Sequence, residues 1–323
     1  MATAALFVCG CGIAPVVAAQ TTLADAQRDY NAGRYNRAVD ALTAAVAKSP
    51  DDASLHFLLG QSYYQLREFP RAVGSLERAV QLSPKDSQYH DWLGKAYGRK
   101  AEESIFLSAM SWARKTHHEF EVAVELDPRN LEAQRDLIRF EINAPGVVGG
   151  GDEKALKHIG ELEKIDAIQG QLARGEFFST KKRLPEADAV FGKLLESNSD
   201  HAGVYFEVSD YYRDRPDPEK MSDAIDKAER IDPDDRRLKF YKGTLLVMQK
   251  KGPSEAEMML KSYIATVPDN SDLPPHAAAR EWLGRLYESL GRFSEATEQF
   301  RLSLSLDPHN KEVEEELKRA EKK

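Results

Sequence analysis

The chain has 323 residues, 41% of them hydrophobic and 30% charged, with a formal net charge of −8 and a pI of about 5.6. That composition excludes wholesale disorder and leaves room for one or two globular domains or one elongated array. The acidic balance, with lysines and arginines scattered rather than gathered into a block, argues against nucleic acid as a ligand.

The first predicted element is an apolar run from about Ala4 to Ala19. It is shorter than the roughly 20 residues of a spanning helix, and it closes on Val17-Ala18-Ala19, a small-residue cleavage pattern. Residues 1–19 read as a secretory signal peptide cut near Ala19-Gln20, which places the mature chain in the periplasm or otherwise outside the cytoplasm. The basic opening of such peptides is missing, Arg28 being the first cationic side chain, so an uncleaved membrane anchor facing the periplasm is the alternative. Both cysteines, Cys9 and Cys11, fall inside this run, so a processed chain has no disulfide or thiolate chemistry. A lipidated cysteine fits poorly, because the apolar run follows Cys9 rather than preceding it.

From residue 20 the chain repeats itself. Gly60 and Gly94 stand 34 apart, as do Tyr63 and Tyr97, Ala38 and Ala72, Leu42 and Leu76, Ala45 and Ala79, and Pro50 and Pro84. Apolar residues recur at three and four, as in Ala72, Val73, Leu76, Ala79 and Val80, so each unit predicts two amphipathic helices. The turn between them, Arg67-Glu68-Phe69-Pro70 in the second unit, is short enough to make them antiparallel. Pro50, Pro84, Pro128, Pro233, Pro268 and Pro308 each follow a second helix and stop it. About eight units result, with bounds at 19–52, 53–86, 87–130, 131–167, 168–200, 201–235, 236–270 and 277–310.

Three insertions break the period. Near 99–113 the spacing from Pro84 to Pro128 is ten residues too long, and Ile105, Phe106, Leu107, Met110 and Trp112 make the extra material apolar. Either it lengthens the helices and packs on the array, or it forms a partner-binding lip, since Trp and Met are favoured in recognition surfaces. Near 144–151, Pro145-Gly146 and Gly149-Gly150-Gly151 suggest a phosphate cradle, yet the Lys-Ser/Thr pair of such a loop is absent and a helical period precedes it. Asp152 and Glu153 also stand where the next helix begins, as expected caps on the N–H groups a phosphate would need. An enlarged turn with positive-φ glycines is the reading that remains. Near 269–276, Pro274 and Pro275 lengthen a loop or form a modest hinge.

In the last unit Leu283-Gly284, Tyr287, Ala296, Phe300 and Pro308 match the 34-residue tetratricopeptide pattern. The chain from residue 20 to 310 therefore resembles the tetratricopeptide repeat family. The fold the resemblance implies is all-α, a right-handed superhelical solenoid of about eight antiparallel helix pairs. The insertion at 99–113 together with the Pro-Gly-x-x-Gly-Gly segment looks like a set of exported bacterial tetratricopeptide proteins, a likeness of about sixty residues that implies assembly or scaffolding in the envelope. Residues 311–323 follow as a charged helix that solvates the end of the array.

No catalytic pattern stands out. His117 and His118 point about 100° apart on a helix, and His56, His90 and His158 have no spaced ligand company, so each is assigned to surface or packing and no metal or cofactor is expected. Asp51-Asp52, Asp127 and Asp234-Asp235 recur at helix junctions, where they act as caps. A non-catalytic interaction scaffold is the expectation, with a protein or peptide partner in the groove that first helices line in such arrays. Projecting the open faces of those helices brings together Phe57, Gln61, Tyr64, Lys95, Arg99, Arg135 and Arg139, a surface for an extended segment bearing carboxylates or phosphates, with Trp112 as the lip. Phe57 and Gln61 depart from the Lys and Asn of chaperone-binding carboxylate clamps, so that specificity is not implied. The alternatives are a small-ligand carrier or enzyme subunit using Gly149–Gly151 or Trp112, and a membrane-tethered assembly factor.

Overall fold

The helices form where the apolar period runs, and they end where a left-handed residue or a proline interrupts it. The computed structural model describes residues 14–269 and 273–323, and among them it contains α-helices, one 3-10 turn and no strand. The helices pair as α1 (Ala14–Asn31) with α2 (Tyr35–Val46), α3 (Ala53–Gln65) with α4 (Phe69–Leu82), and α5 (Ser87–Glu102) with α6 (Phe106–Leu126). Next come α7 (Leu131–Asn143) and α8 (Asp152–Ile165), α9 (Ala167–Thr180) with α10 (Leu184–Glu196), and α11 (Ala202–Asp214) with α12 (Pro218–Ile231). Then follow α13 (Leu238–Met248) with α14 (Pro253–Thr266), α15 (His276–Ser289) with α16 (Phe293–Leu306), and a final α17 (Lys311–Ala320). The all-α hairpin architecture expected from the repeat is the one observed. Of the leader expected at residues 1–19, residues 1–13, with both cysteines, lie outside the described residues, and 14–19 are the start of α1.

Five hairpins turn by the same device. Gly33, Arg67, Lys182, Lys250 and Gly291 hold φ between 54° and 73°, each just after a first helix. The next residue's N–H then reaches back to the helix, as Glu68 does to the Tyr63 carbonyl at 2.9 Å and Arg292 to that of Tyr287 at 2.9 Å. This closure satisfies carbonyls a helix end leaves open and sends the second helix back along the first. Second helices then pack on small residues. A Cβ on Gly60 would lie 2.5 Å from Leu76, on Gly94 2.6 Å from Phe120, on Gly175 2.7 Å from Phe191 and on Gly243 2.8 Å from Leu260, with Gly284 facing Phe300 in the same way.

The chain divides into two compact units, Met1–Leu137 and Ile138–Lys323, with the boundary inside α7. Each unit has its own core. In the first, Leu42, Leu55, Leu58, Ala72 and Leu76 are the centre, and α2 packs on α3 and α4 on α5, so hairpins stack in order. In the second, Phe206, Tyr212, Phe240, Tyr263, Tyr287 and Phe300 dominate, with α10 on α11, α12 on α13, α14 on α15 and α16 on α17. Val313 and Ala320 of α17 are buried in that core, so this charged helix covers the last apolar face with one narrow stripe.

The insertions resolve individually. Residues near 99–113 lengthen α5 to 16 and α6 to 21 residues, against 13 and 14 in the preceding hairpin. Trp112 is half-buried, its ring 5.4 Å from that of Tyr97, and leaves Ile105 and Leu107 at the tip, 82% and 78% exposed. The loop before α15 is tied down: Tyr263 donates to the Pro274 carbonyl at 2.6 Å, and the His276 ring bonds the Val267 carbonyl at 2.8 Å.

Candidate partner-binding faces

In the first unit the first helices α3 and α5 pack an aromatic stretch between them. Phe57 stacks on Tyr89 with centroids 4.4 Å apart, and Tyr64 meets Trp92 edge-on at 5.5 Å. Burial raises the Tyr64 hydroxyl pKa, although Arg99 and Lys95 nearby oppose the shift. Beside Trp92, the Lys95 ammonium sits 4.8 Å from the indole centroid and bonds Asp91 at 3.0 Å, Asp136 at 3.1 Å and Glu132. Burial alone would lower the Lys95 pKa, but Asp136, Asp91 and Glu132 outweigh it and raise it. Asp91, 1% exposed, is pushed by burial up to about 7, with Lys95 opposing and Asp136 adding to the rise.

This arrangement corrects the expected anion grip. Lys95 is held by three carboxylates and Arg99 by Glu102 at 2.6 Å, while Arg139, in the second unit, pairs with Glu176 at 3.0 Å. Gln61 and Arg135, projected as open, are 8% and 6% exposed. The projection failed because a helical period shows one helix at a time. Two of the three carboxylates that neutralise Lys95 come from α7, the next first helix, at its second and sixth positions. The oxygens of Asp91, Glu132 and Asp136 lie within 4.8 Å of one another, a spacing that suits a metal ion, but the Lys95 ammonium already bonds all three.

The same node recurs in the second unit. Trp282, like Trp92, stands two residues before a packing glycine, and Arg285 occupies the place of Lys95 with its guanidinium 4.6 Å from the Trp282 centroid. It bonds Glu281 at 2.5 Å, Glu312 at 2.7 Å and Glu316 at 2.9 Å. Glu312 and Glu316 are the second and sixth residues of α17, as Glu132 and Asp136 are of α7. The signal was present in the sequence as Asp91-Trp92-Leu93-Gly94-Lys95 and Glu281-Trp282-Leu283-Gly284-Arg285, whose shared Trp and acid–cation pair the 34-residue register does not need.

Around this second node lies a cleft of about 650 Å3, lined by Met248 and Trp282 together with Arg213, Asp214, Glu281, Arg285 and Glu312. Its volume is in the range of about 300–1,000 Å3 that binding clefts take. Arg213 bonds Asp210 at 2.6 Å and Asp214 at 3.0 Å. A second cleft of about 290 Å3 shares Asp214 and is lined further by Arg139, Glu176, Glu207 and Asp210. Burial pushes the Asp210 and Glu281 carboxyls up, against the pull of Arg213 and Arg285 respectively.

Of the expected caps, Asp52 is the N-cap of α3 and accepts from the Ser54 N–H at 3.0 Å. Asp127 accepts from Arg129 at 2.9 Å and Asp235 from Arg237 at 2.8 Å in the turns ahead of α7 and α13, where Asn130 and Arg237 stand at the helix starts. At α8 Gly151 is the N-cap with no side-chain cap, and Asp152 sits in the first turn, paired with Lys181 at 2.6 Å. In the glycine loop Gly149, Gly150 and Gly151 donate their N–H groups to the carbonyls of Gly146, Pro145 and Glu141. None of the three is left for a phosphate. A Cβ on Gly150 would collide with the Ala144 carbonyl, and Gly149 holds φ at 115°, so the run serves the turn. The histidines latch repeats: His56 reaches the Pro50 carbonyl at 2.9 Å, His90 that of Pro84 at 3.1 Å, and Gln134 does the same to Pro128 at 3.1 Å. His158 bonds the buried Glu141 at 2.8 Å.

Among the described residues no helix is long and apolar enough to cross a membrane. Residues 23–87 match one tetratricopeptide repeat family model and residues 277–310 match another. No curated protein sequence matches the chain. A solved tetratricopeptide repeat protein from Parabacteroides merdae resembles it with a TM-score of 0.50 at 14% identity, over 94% of this chain and 99% of that one. The Cut9-Hcn1 hetero-tetramer of the APC/C gives a TM-score of 0.50 at 12% identity, over 93% of this chain and 55% of the other. Identities this low bear on the fold alone. The chain carries tetratricopeptide repeats and has the all-α hairpin fold of tetratricopeptide repeat structures.

Proposed function

We propose that the chain is a non-catalytic protein-interaction scaffold that holds a segment of a partner protein on its first-helix faces. The observation that carries this reading is the contrast between the two helices of a hairpin. Second helices bury their apolar stripe under first helices, as Leu76 does under Gly60, whereas the 650 Å3 cleft opens on Arg213, Met248 and Trp282 of α11, α13 and α15. In the first unit the half-buried Phe57 and Tyr64 form the counterpart surface, with Lys95 and Arg99 beside them, while Trp92, Gln61 and Arg135 are buried. Arg139 serves the second unit's smaller cleft. Aromatic and Arg groups at such faces are the residue types that dominate binding energies.

The same reading places the protein in the bacterial envelope, in the periplasm or tethered to its membrane, on the strength of the apolar run at 1–19. Trp112 belongs to the first unit's scaffold through Tyr97, and the exposed Ile105 and Leu107 beside it are the lip. A photo-crosslinking amino acid introduced at Tyr64 or Met248, and as control at the exposed Gly74 of α4, tests the scaffold in the native cell. Adducts from the first two sites and none from the third support it. Adducts from Gly74 alone, or equally from all three, contradict it.

A further inference from the structure

Across the two clefts of the second unit, six carboxylates stand against three guanidiniums, and no lysine or histidine lines either one. Each guanidinium is already bonded to carboxylates of its own chain: Arg139 to Glu176, Arg213 to Asp210 and Asp214, and Arg285 to Glu281, Glu312 and Glu316. The positive charge is therefore spent internally, while Asp214 and Glu312 keep 70% and 73% of their side chains exposed at the edge of the larger cleft. An anionic ligand would meet carboxylates there, with no cation free to receive it. The large apolar side chains of its lining are the half-buried Met248 and Trp282.

We infer that this cleft takes a cationic partner segment, an extended stretch in which lysines or arginines flank an aromatic or aliphatic side chain. The apolar side chain lies on Met248 and Trp282, and the flanking cations meet Asp214, Glu312 and Glu281. The inference rests on the scaffold reading and deepens it by fixing the partner's chemistry, opposite in sign to the carboxylate- or phosphate-bearing segment that the sequence suggested. Complementary charge at an exposed rim acts on encounter rate and specificity, and salt screens it, so binding should weaken as ionic strength rises.

The test uses the full chain and fluorescein-labelled peptides of about twelve residues, each with a central leucine or tryptophan flanked by lysines, glutamates or serines. Fluorescence anisotropy should rank the lysine set tightest, by about tenfold or more over the glutamate set, with loss on adding salt. The double reversal Asp214→Lys and Glu312→Lys should weaken the lysine set by about tenfold or more, with an unchanged melting curve. A control with the same change in net charge, Asp51→Lys and Glu314→Lys, should leave it within about twofold. With the leucine-centred lysine peptide left unlabelled, Trp282→Phe, which keeps that part of the lining apolar, should remove the change in tryptophan emission on binding. Equal binding of glutamate or serine peptides, an unaffected double reversal, or an equal loss in the control would overturn the cationic assignment and leave the scaffold reading standing. If no peptide set binds and photo-crosslinking also finds no partner on the first-helix faces, both fall.

Discussion

The substitution Gly175→Ala separates two effects of opposite sign. In a helix interior, alanine in place of glycine stabilises by about 0.5–1 kcal/mol, because glycine loses more backbone freedom on folding. At Gly175 the new methyl would lie 2.7, 2.8 and 3.2 Å from three carbons of the Phe191 ring. The ring cannot tilt away freely: it is 5% exposed and stacks on Tyr211 with centroids 4.1 Å apart and planes 13° from parallel. Tyr211 is itself held by donating to Asp188 at 2.5 Å. Overpacking of this kind costs about 1–3 kcal/mol, so the expected net effect is a loss of about 1–2 kcal/mol. Gly160 in the adjacent helix α8 has nothing within 4 Å of such a methyl, and Gly160→Ala should gain about 0.5–1 kcal/mol. Urea unfolding followed by far-UV circular dichroism reads both variants. In the Phe191→Ala background the cost of Gly175→Ala should shrink, since the methyl then has room. If Gly175→Ala proved as stabilising as Gly160→Ala, the close approach of helices at that glycine would not be the constraint argued here.

Other expectations follow from the turns and the latches. Lys182 holds φ 59° at an exposed turn where Gly33 and Gly291 stand in other repeats, so Lys182→Gly should stabilise by about 0.5–1 kcal/mol; an unchanged urea midpoint would show that position to be unstrained. For His90, burial alone would lower the pKa, but hydrogen bonds to Glu119 at 2.6 Å and to the Pro84 carbonyl raise it. A folded pKa above the unfolded one means that its stabilisation is complete below the unfolded value of about 6.5 and is lost as pH rises through the folded value. His90→Gln, which keeps the carbonyl bond as Gln134 does in the next repeat, should therefore be less stable than the parent at about pH 6 by more than at about pH 8.5. A stability gap constant across that range would remove the charged latch.

The parts of the fold that were legible in the sequence are those where one residue type alone satisfies the geometry. Gly60 and Gly94 are small because Leu76 and Phe120 press on them, and Pro50 and Pro84 recur because they end helices, so a 34-residue register appears without any structure. The turn device was harder to see, because Arg67, Lys182 and Lys250 take the left-handed position that glycine marks in other repeats. Burial of Gln61 and Arg135 was hidden for a different reason: a helical projection contains no neighbouring helix. The charge of the faces was misread on the same ground. Lys95 and Arg99 read as free cations until Glu132, Asp136 and Glu102 are brought to them, two of these from another helix. The repeated Trp-Leu-Gly-cation segments at 92–95 and 282–285 carried the missing information, since the carboxylates of α7 and α17 share one spacing.

On the scaffold proposal, first helices meet the partner while second helices serve the core. Hydrogen–deuterium exchange of the full chain, with and without a partner identified by crosslinking, tests it most directly. Binding should slow exchange in α11, α13 and α15 and leave α12 and α14 unchanged. Protection confined to α12 and α14, or shared evenly by both helices of each hairpin, would contradict the account.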